Sequence, residues 1–240
     1  MKRIDFLKRA GLGMMTTVAL AACKEELTEV AASSEATSAA RVDATATCTS
    51  TVSETAGPFP TKSPSSLVRT DIRADRTGLS MTITLTIQNK NKSCAALQGV
   101  LVDIWHCDKD GYYSEYGGTQ MQTVNYTAVH FLRGRQTTNA SGQVAFTSIF
   151  PGWYKGRAPH IHVSVYNSAG KSLLVTQIAF PKTICDTVYS TAKTYYTKGL
   201  QDTTNEKDNV FGDGYTTELA TLTGSVAAGY ALTHAIVVSA

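Results

Sequence analysis

Residues 160–180 read HIHVSVYNSAGKSLLVTQIAF, two runs rich in strand-forming residues on either side of the tetrapeptide Asn-Ser-Ala-Gly. Valine, isoleucine and tyrosine favour strands, and asparagine and glycine favour the tight turn between two antiparallel strands. The stretch therefore predicts a β-hairpin. Its first strand carries His160 and His162, which would point to the same face because strand side chains alternate.

Strand and turn signals of this kind recur along the chain. Residues 80–89 alternate apolar and polar side chains, residues 99–107 are apolar and β-branched, and residues 130–150 predict a second hairpin. Residues 182–196 predict a short helix, and residues 230–240 predict a closing strand. This pattern predicts an all-β fold, a β-sandwich or barrel with long ordered loops and little helix.

The N-terminal residues predict export. Residues 1–22 combine a basic start with a short apolar run and small residues before Cys23, the pattern of a secretory signal. The sequence LAAC, residues 20–23, resembles a bacterial lipobox, in which the cysteine is lipidated after cleavage. Residues 23–47 are rich in Ala, Ser, Thr and Glu and predict a flexible tether. We therefore expect a lipoprotein anchored in the outer membrane through Cys23, at the cell surface or facing the periplasm, with a folded domain over residues 48–240.

The net charge lies mostly in the predicted signal. Residues 1–22 contain four basic residues and one acidic residue, a net charge of +3, which equals the net charge of the whole chain. The mature protein would be near neutral, so no basic face for nucleic acid is expected.

Four cysteines remain after Cys23. In an exported protein they predict two disulfides, and the sequence leaves the pairing open. A thiolate metal site is disfavoured because no Cys-x-x-Cys is present. The four are Cys48, Cys94, Cys107 and Cys185.

The histidine pair has two tyrosines near it in the sequence pattern. Tyr154 lies in the turn Pro-Gly-Trp-Tyr before the strand, and Tyr113 follows a predicted strand that ends near Trp105. Imidazole is the commonest metal ligand, whereas zinc rarely takes phenolate. Ferric iron does accept tyrosinate oxygen. Two phenolates, one hydroxide and Fe(III) sum to zero charge, and a neutral site is cheaper to bury than a charged one.

These motifs resemble the intradiol ring-cleavage dioxygenases, the family of catechol and protocatechuate dioxygenases. Family members place a ligand tyrosine eight residues after a tryptophan, as Trp105 and Tyr113 stand here. A second ligand tyrosine ends a Pro-Gly-x-Tyr turn, matched at residues 151–154. The last two ligands belong to an Arg-Pro-Ala-His-x-His motif, which reads RAPHIH at residues 157–162 with Pro and Ala exchanged. Residues 54–60, ETAGPFP, resemble the loop that lines the family's substrate pocket.

The resemblance implies a β-sandwich of two sheets with a prealbumin-like core and a non-haem Fe(III) cofactor. It implies a reaction in which O2 cleaves a catechol-type ring between its two hydroxyl-bearing carbons to give a cis,cis-muconate-type diacid. Tyr154 would be the ligand that leaves the metal when substrate binds. Arg157 would stabilise charge beside the reacting carbon, and Gln177 would support the site from behind the ligands. The implied metal ligands are Tyr113, Tyr154, His160 and His162, and the implied substrate-binding residues are Gly57, Pro58, Phe59, Trp105 and Arg157.

Two other classes stay open. A cell-surface β-sandwich that binds glycans or peptides would explain the anchor and the strands, and a family member without activity is the third possibility. The sequence favours a catechol without a required carboxylate, although Arg69, Arg73 or Lys182 could bind one. The oligomeric state is left open. The remaining histidines are expected to be structural, and Asp103 and Asp108 are expected to be solvated.

Overall fold

The computed structural model describes residues 48–240. The predicted signal peptide (1–22), the lipidated Cys23 and the tether (23–47) lie outside the described residues. Within residues 48–240, no helix combines the length and the hydrophobicity needed to span a bilayer. The elements are β1 (Ser80–Asn89), β2 (Ala95–Ala96), β3 (Leu101–Trp105), β4 (Arg133–Thr137), β5 (Gln143–Ile149), β6 (His160–Tyr166), β7 (Ser172–Ala179), α1 (Lys182–Thr191), β8 (Thr221–Ser225) and β9 (Gly229–Val238).

The strands form the two sheets of a β-sandwich. One sheet has the order β4-β3-β6-β7, and the other has the order β2-β1-β9-β8 with β5 also paired to β1. All pairs are antiparallel except β1 with β9, which is parallel. The all-β prediction is confirmed.

Alternation along β1 and β6 builds the core between the sheets. Strand β1 buries every second side chain, and Met81, Ile83 and Leu85 are inaccessible to solvent. Strand β6 contributes Ile161 and Val163 to the same cluster. Its other face is buried as well, under loops that connect the strands. Strand β6 is therefore covered on both faces, and its two histidines lie on the face away from the core.

One of the two predicted hairpins is confirmed. Strands β6 and β7 pair around the turn at Asn167, whose side chain accepts hydrogen bonds from the amides of Ala169 and Lys171. The hairpin predicted over residues 130–150 is wrong, because β4 pairs with β3 in one sheet and β5 pairs with β1 in the other. The turn between β4 and β5 carries the chain across the sandwich. Turn residues mark a reversal of direction, but they do not determine which strand becomes the partner.

The cysteines form one disulfide rather than two. Cys48 is bonded to Cys94, which links the start of the domain to the segment after β1. Cys107 and Cys185 are free thiols, both buried. They lie in different apolar clusters, Cys107 beside Phe59 and Cys185 in the main core. The prediction of two disulfides is therefore wrong for the described chain.

The expectation that Asp103 and Asp108 are solvated is also wrong. Both carboxylates are buried. Asp103 pairs with Arg135, which stands opposite it on β4, at 2.5 and 2.7 Å. Asp108 accepts hydrogen bonds from the backbone of the turn that follows it. Each carboxylate is buried because local partners satisfy it, a condition that composition alone does not reveal.

Candidate active site

Two tyrosines and two histidines converge on one point beside the sheet β4-β3-β6-β7. The Nε2 atom of His160 lies 3.1 Å from Nε2 of His162, 3.3 Å from Oη of Tyr113 and 3.5 Å from Oη of Tyr154. The structure thus brings together all four residues that the sequence singled out as metal ligands. No local pattern requires this, since Tyr113 and His160 are 47 residues apart.

The turn before Tyr113 is held by two buried polar side chains. The Asp108 carboxylate accepts hydrogen bonds from the amides of Asp110 and Tyr112. The Gln122 side chain accepts a hydrogen bond from the Tyr113 amide at 2.7 Å and donates to its carbonyl at 2.8 Å. These bonds hold the backbone of Tyr113 at both its amide and its carbonyl, and the Phe59 ring packs on its phenol.

The turn before Tyr154 is held by α1 and the segment after it. The Tyr189 hydroxyl on α1 donates to the Pro151 carbonyl at 2.8 Å. The Trp153 indole donates to the Gly199 carbonyl at 2.9 Å. The predicted short helix therefore has a clear role, because it positions the turn that carries Tyr154.

Hydrogen bonding orients the ring of His160. The Nδ1–H of His160 donates to the Ala158 carbonyl at 2.6 Å, so Nε2 presents its lone pair to the cluster. Burial lowers the pKa of both imidazoles well below the usual value. Both rings are therefore neutral, the form in which histidine binds a metal. The Nδ1 atom of His162 is buried and has no hydrogen-bond partner among the described residues.

The two phenols are protonated unless a cation replaces their protons. Burial raises the pKa of Tyr113 well above the usual value, and Tyr154 raises it further. Burial also raises the pKa of Tyr154, while the positive charge of Arg157 lowers it in part. In residues 48–240, no group of three or more His, Cys, Asp or Glu side chains could hold a metal ion. The present cluster differs because half of its donors are phenol oxygens, a set that fits a small trivalent cation.

Arg157 points its charge into this cluster. Its Nη1 lies 3.3 Å from Oη of Tyr154 and 3.5 Å from Nε2 of His160. Its Nη2 donates to the Gln177 side chain at 2.6 Å, and its Nε donates to both oxygens of Asp208 at 2.9 Å. The guanidinium is therefore held on two sides, with its third nitrogen facing the tyrosine and histidine donors.

Asp208 is a site residue that the sequence did not reveal. Its carboxylate is fully buried and accepts hydrogen bonds from the amides of Ala158 and Val210, as well as from Arg157. The Ala158 bond exists because Ala and Pro are exchanged in RAPHIH; a proline at position 158 would have no N–H to donate. Asp208 belongs to a loop that showed no periodicity, so no sequence signal pointed to it.

The loop at residues 54–60 packs against His162 and Tyr113; of its predicted substrate-binding residues, Pro58 lines the cavity described below, and Gly57 and Phe59 do not. Gly57 has a φ of +68°, and a Cβ at this position would lie 2.9 Å from Cε1 of His162. The Phe59 ring stacks on the Tyr113 ring at a centroid distance of 4.9 Å. Only glycine allows the backbone to pass so close to the imidazole in this conformation.

Trp105 and Gln177 flank His162 on the two neighbouring strands. The Trp105 ring stacks on the His162 ring at 4.8 Å with an interplanar angle of 2°, because the two residues are paired in the β3–β6 register. Trp105 does not line the cavity described below, so its role in binding substrate stays a prediction. The Gln177 amide donates to the Thr55 carbonyl at 2.8 Å and so ties Arg157 to the 54–60 loop.

Arg133 is a second site residue that the sequence did not reveal. It is fully buried and donates to the carbonyls of Phe59 and Ser114. It therefore joins the 54–60 loop to the residue that follows Tyr113. An isolated arginine in a strand gives no sign in the sequence that it will be buried.

A cavity of about 470 Å³ opens beside the cluster. Tyr154 and Arg157 form part of its wall, together with Pro58 from the 54–60 loop. This size falls in the range of pockets that hold small organic ligands. A ligand in the cavity would contact the Tyr154 phenol and the Arg157 guanidinium.

The comparisons with known proteins agree with this geometry. A family model described as dioxygenase matches residues 57–219. An intradiol ring-cleavage dioxygenase from Tetranychus urticae has a similar structure, with a TM-score of 0.71 and 26% identity over 80% of this chain and 95% of that chain. The dioxygenase domain of a carbohydrate-binding fusion protein from Streptomyces sp. SirexAA-E has a TM-score of 0.57 and 24% identity over 80% of this chain and 99% of that chain.

A more distant structure shares the fold. The 3-chlorocatechol 1,2-dioxygenase from Rhodococcus opacus 1CP has a TM-score of 0.53 and 18% identity over 79% of this chain and 72% of that chain. No curated protein matches the sequence. The family model spans well over half of the 240 residues and includes all four converging side chains, and on that basis the chain belongs to the intradiol ring-cleavage dioxygenase family.

Proposed function

We propose that this protein is a non-haem Fe(III) dioxygenase that cleaves catechol-type rings between the two hydroxyl-bearing carbons. O2 would be the second substrate, and the product would be a cis,cis-muconate-type diacid. The observation that carries the proposal is that two phenol oxygens and the Nε2 atom of His162 lie within 3.5 Å of the Nε2 atom of His160. A binding protein for glycans or peptides has no need for such a buried cluster.

Tyr113, Tyr154, His160 and His162 would hold the iron. Bound there, Fe(III) would act as a Lewis acid that lowers the pKa of a coordinated diol and withdraws electron density from its ring. Two phenolates would balance most of the charge of the ion, which lowers the free-energy cost of burying it.

The two tyrosines differ in how deeply they are buried. Tyr113 is fully buried under Phe59, whereas Tyr154 is partly exposed and borders the cavity. An incoming diol must lose protons, and Tyr154, once a metal has displaced its own proton, would be placed to accept one at Oη. Arg157, 3.3 Å away, would stabilise the negative charge that the diol oxygens bring to the same place. Gln177 and Asp208 would keep the guanidinium in position.

Export is part of the proposal. The Cys48–Cys94 disulfide is consistent with an oxidising compartment, where such bonds persist. The basic and apolar residues 1–22 and the LAAC motif support a lipoprotein anchored through Cys23, in the outer membrane or at the cell surface.

The iron-loaded protein gives the first test. Phenolate-to-Fe(III) charge transfer should give a broad visible band, and oxygen uptake with catechol should be equimolar with loss of the diol. The variants Tyr113→Phe and Tyr154→Phe should each weaken or shift the band and lower kcat/KM by at least about 100-fold, since each removes an anionic donor.

Tyr112→Phe is the matched control. Tyr112 precedes Tyr113 in the chain, but its ring packs against Tyr126 rather than the cluster. The control should keep both the band and the turnover. Iron-loaded protein that shows no visible band and consumes no oxygen with any catechol would contradict the proposal.

A further inference from the structure

The cavity beside Tyr154 is larger than one aromatic ring needs, and much of its wall is apolar. Pro58, Met121 and Val210 supply apolar surface, and the volume of about 470 Å³ is in the range of pockets that hold ligands of several rings or chains. A diol bound at Tyr154 would fill only part of this volume. The rest of the cavity has room for a substituent on the ring.

Lys155 brings a positive charge to the same wall. It lies between Tyr154 and Gly156 on the cavity lining, and its side chain is exposed. The salt bridges and hydrogen bonds within residues 48–240 do not involve its ammonium group. The cavity lining contains no carboxylate. The ammonium is therefore free to pair with a charge on a ligand.

The other basic residues considered for this role are engaged elsewhere. Arg157 is held by Asp208 and Gln177. Arg73 pairs with Asp71, and Lys182 pairs with Asp186. Arg69 donates to the Arg133 carbonyl. None of Arg69, Arg73 and Lys182 lines the cavity.

We infer that the preferred substrates are catechols with an extended side chain that ends in an anion such as a carboxylate, and that Lys155 binds this anion. The inference rests on the proposed function, because it assumes that the diol is held at Tyr154. It departs from the expectation of a catechol without a required carboxylate. That expectation failed to include Lys155 because a lysine in a turn gives no sign that it borders a cavity.

The test compares an acid with its neutral ester. The probes are 3,4-dihydroxycinnamate and its methyl ester, and the measured quantity is the acid-to-ester ratio of kcat/KM. We expect the wild type to prefer the acid by about fivefold, the upper range for a partly exposed ion pair. Lys155→Gln should lower the acid-to-ester ratio to the value expected when no ion pair forms with the acid. Lys155→Glu should lower the ratio further, because its carboxylate would repel the acid. Because the methyl ester is larger than the acid, the ratio of a single variant also reflects size. The effect of charge is therefore measured as the difference in the ratio between variants.

Lys193→Gln is the matched control, since Lys193 is an exposed lysine that does not line the cavity. It should keep the wild-type ratio. Added salt should lower the ratio in the wild type and leave it unchanged in Lys155→Gln, because salt screens exposed charges.

The outcomes separate this inference from the function on which it rests. If the iron-loaded wild type cleaves both probes and the ratio is the same in Lys155→Glu, the inference is overturned and the dioxygenase assignment stands. If iron-loaded protein that shows a cooperative thermal unfolding transition cleaves no diol, the proposed function fails and this inference fails with it.

Discussion

At the scale of single residues, the site depends on where one positive charge is held. Arg157 Nη1 lies 3.5 Å from Nε2 of His160, where an unrestrained cation would compete with a bound metal for the same donors. The buried Asp208 carboxylate draws the Nε side of the guanidinium away from the cluster. Charge-assisted pairs of this kind are about twice as strong as neutral hydrogen bonds. Asp208 is therefore a positioning residue for Arg157.

Asp208→Asn should lower kcat by about 10-fold to 100-fold while leaving the visible band in place, because Asn keeps the shape but loses the charge that fixes Arg157. Steady-state kinetics and absorption spectra check this. Asp186→Asn, which removes the charge of a half-buried carboxylate paired with Lys182 outside the cluster, should have no effect on kcat.

A double-mutant cycle distinguishes positioning from a general structural role. If Asp208 acts through Arg157, then Asp208→Asn should add little to the loss of kcat already caused by Arg157→Ala. Additive losses in the cycle would show that Asp208 supports the fold instead.

At the scale of elements, the site is made where one strand meets one loop. Strand β6 places both histidines on the face away from the core, and the 54–60 loop closes over that face. Gly57 is the point of closest approach, with its backbone against the His162 ring. Any side chain there must move either the loop or the imidazole.

Gly57→Ala should weaken iron binding by about 10-fold or more, since the new methyl group meets Cε1 of His162 at 2.9 Å. Gly170→Ala is the matched control for backbone strain. Gly170 also has positive φ, +82°, but a Cβ there has no neighbour within 4 Å. Both variants should lose about 1 kcal/mol of stability from the left-handed conformation. Iron titration, followed by the visible band, measures the iron affinity of each variant. Equal affinities would contradict the prediction that a methyl group at position 57 displaces His162.

At the scale of the whole molecule, the disulfide connects the start of the domain to the sandwich. Beyond Cys48, the Thr51 amide donates to the Val237 carbonyl and the Glu54 amide donates to the Val175 carbonyl, so the segment touches both sheets. It then leads into the 54–60 loop. The disulfide thus restrains the segment between Cys48 and the 54–60 loop, which lies against the site.

Replacing the pair by Cys48→Ser and Cys94→Ser should lower the free energy of unfolding by about 2–4 kcal/mol, because the bond closes a 46-residue separation in the unfolded chain. Urea denaturation measures this change. Dithiothreitol should lower the stability of the wild type to a similar degree and leave the double variant unchanged, since Cys107 and Cys185 are already thiols. A double variant still sensitive to the reductant would show that a second disulfide exists.

The sequence alone determined the local features: the alternation in β1, the turn at Asn167, the short helix, and the spacing of the tyrosine and histidine motifs. These depend on residues within a few positions of each other, where period and turn chemistry act directly. Only the tertiary structure decided which strands pair across residues 130–150, that Cys107 and Cys185 stay apart, and that Asp208 reaches Arg157 from 51 residues away. Those outcomes depend on packing between distant segments, and periodicity and turn chemistry, which act over a few residues, carry no information about such packing.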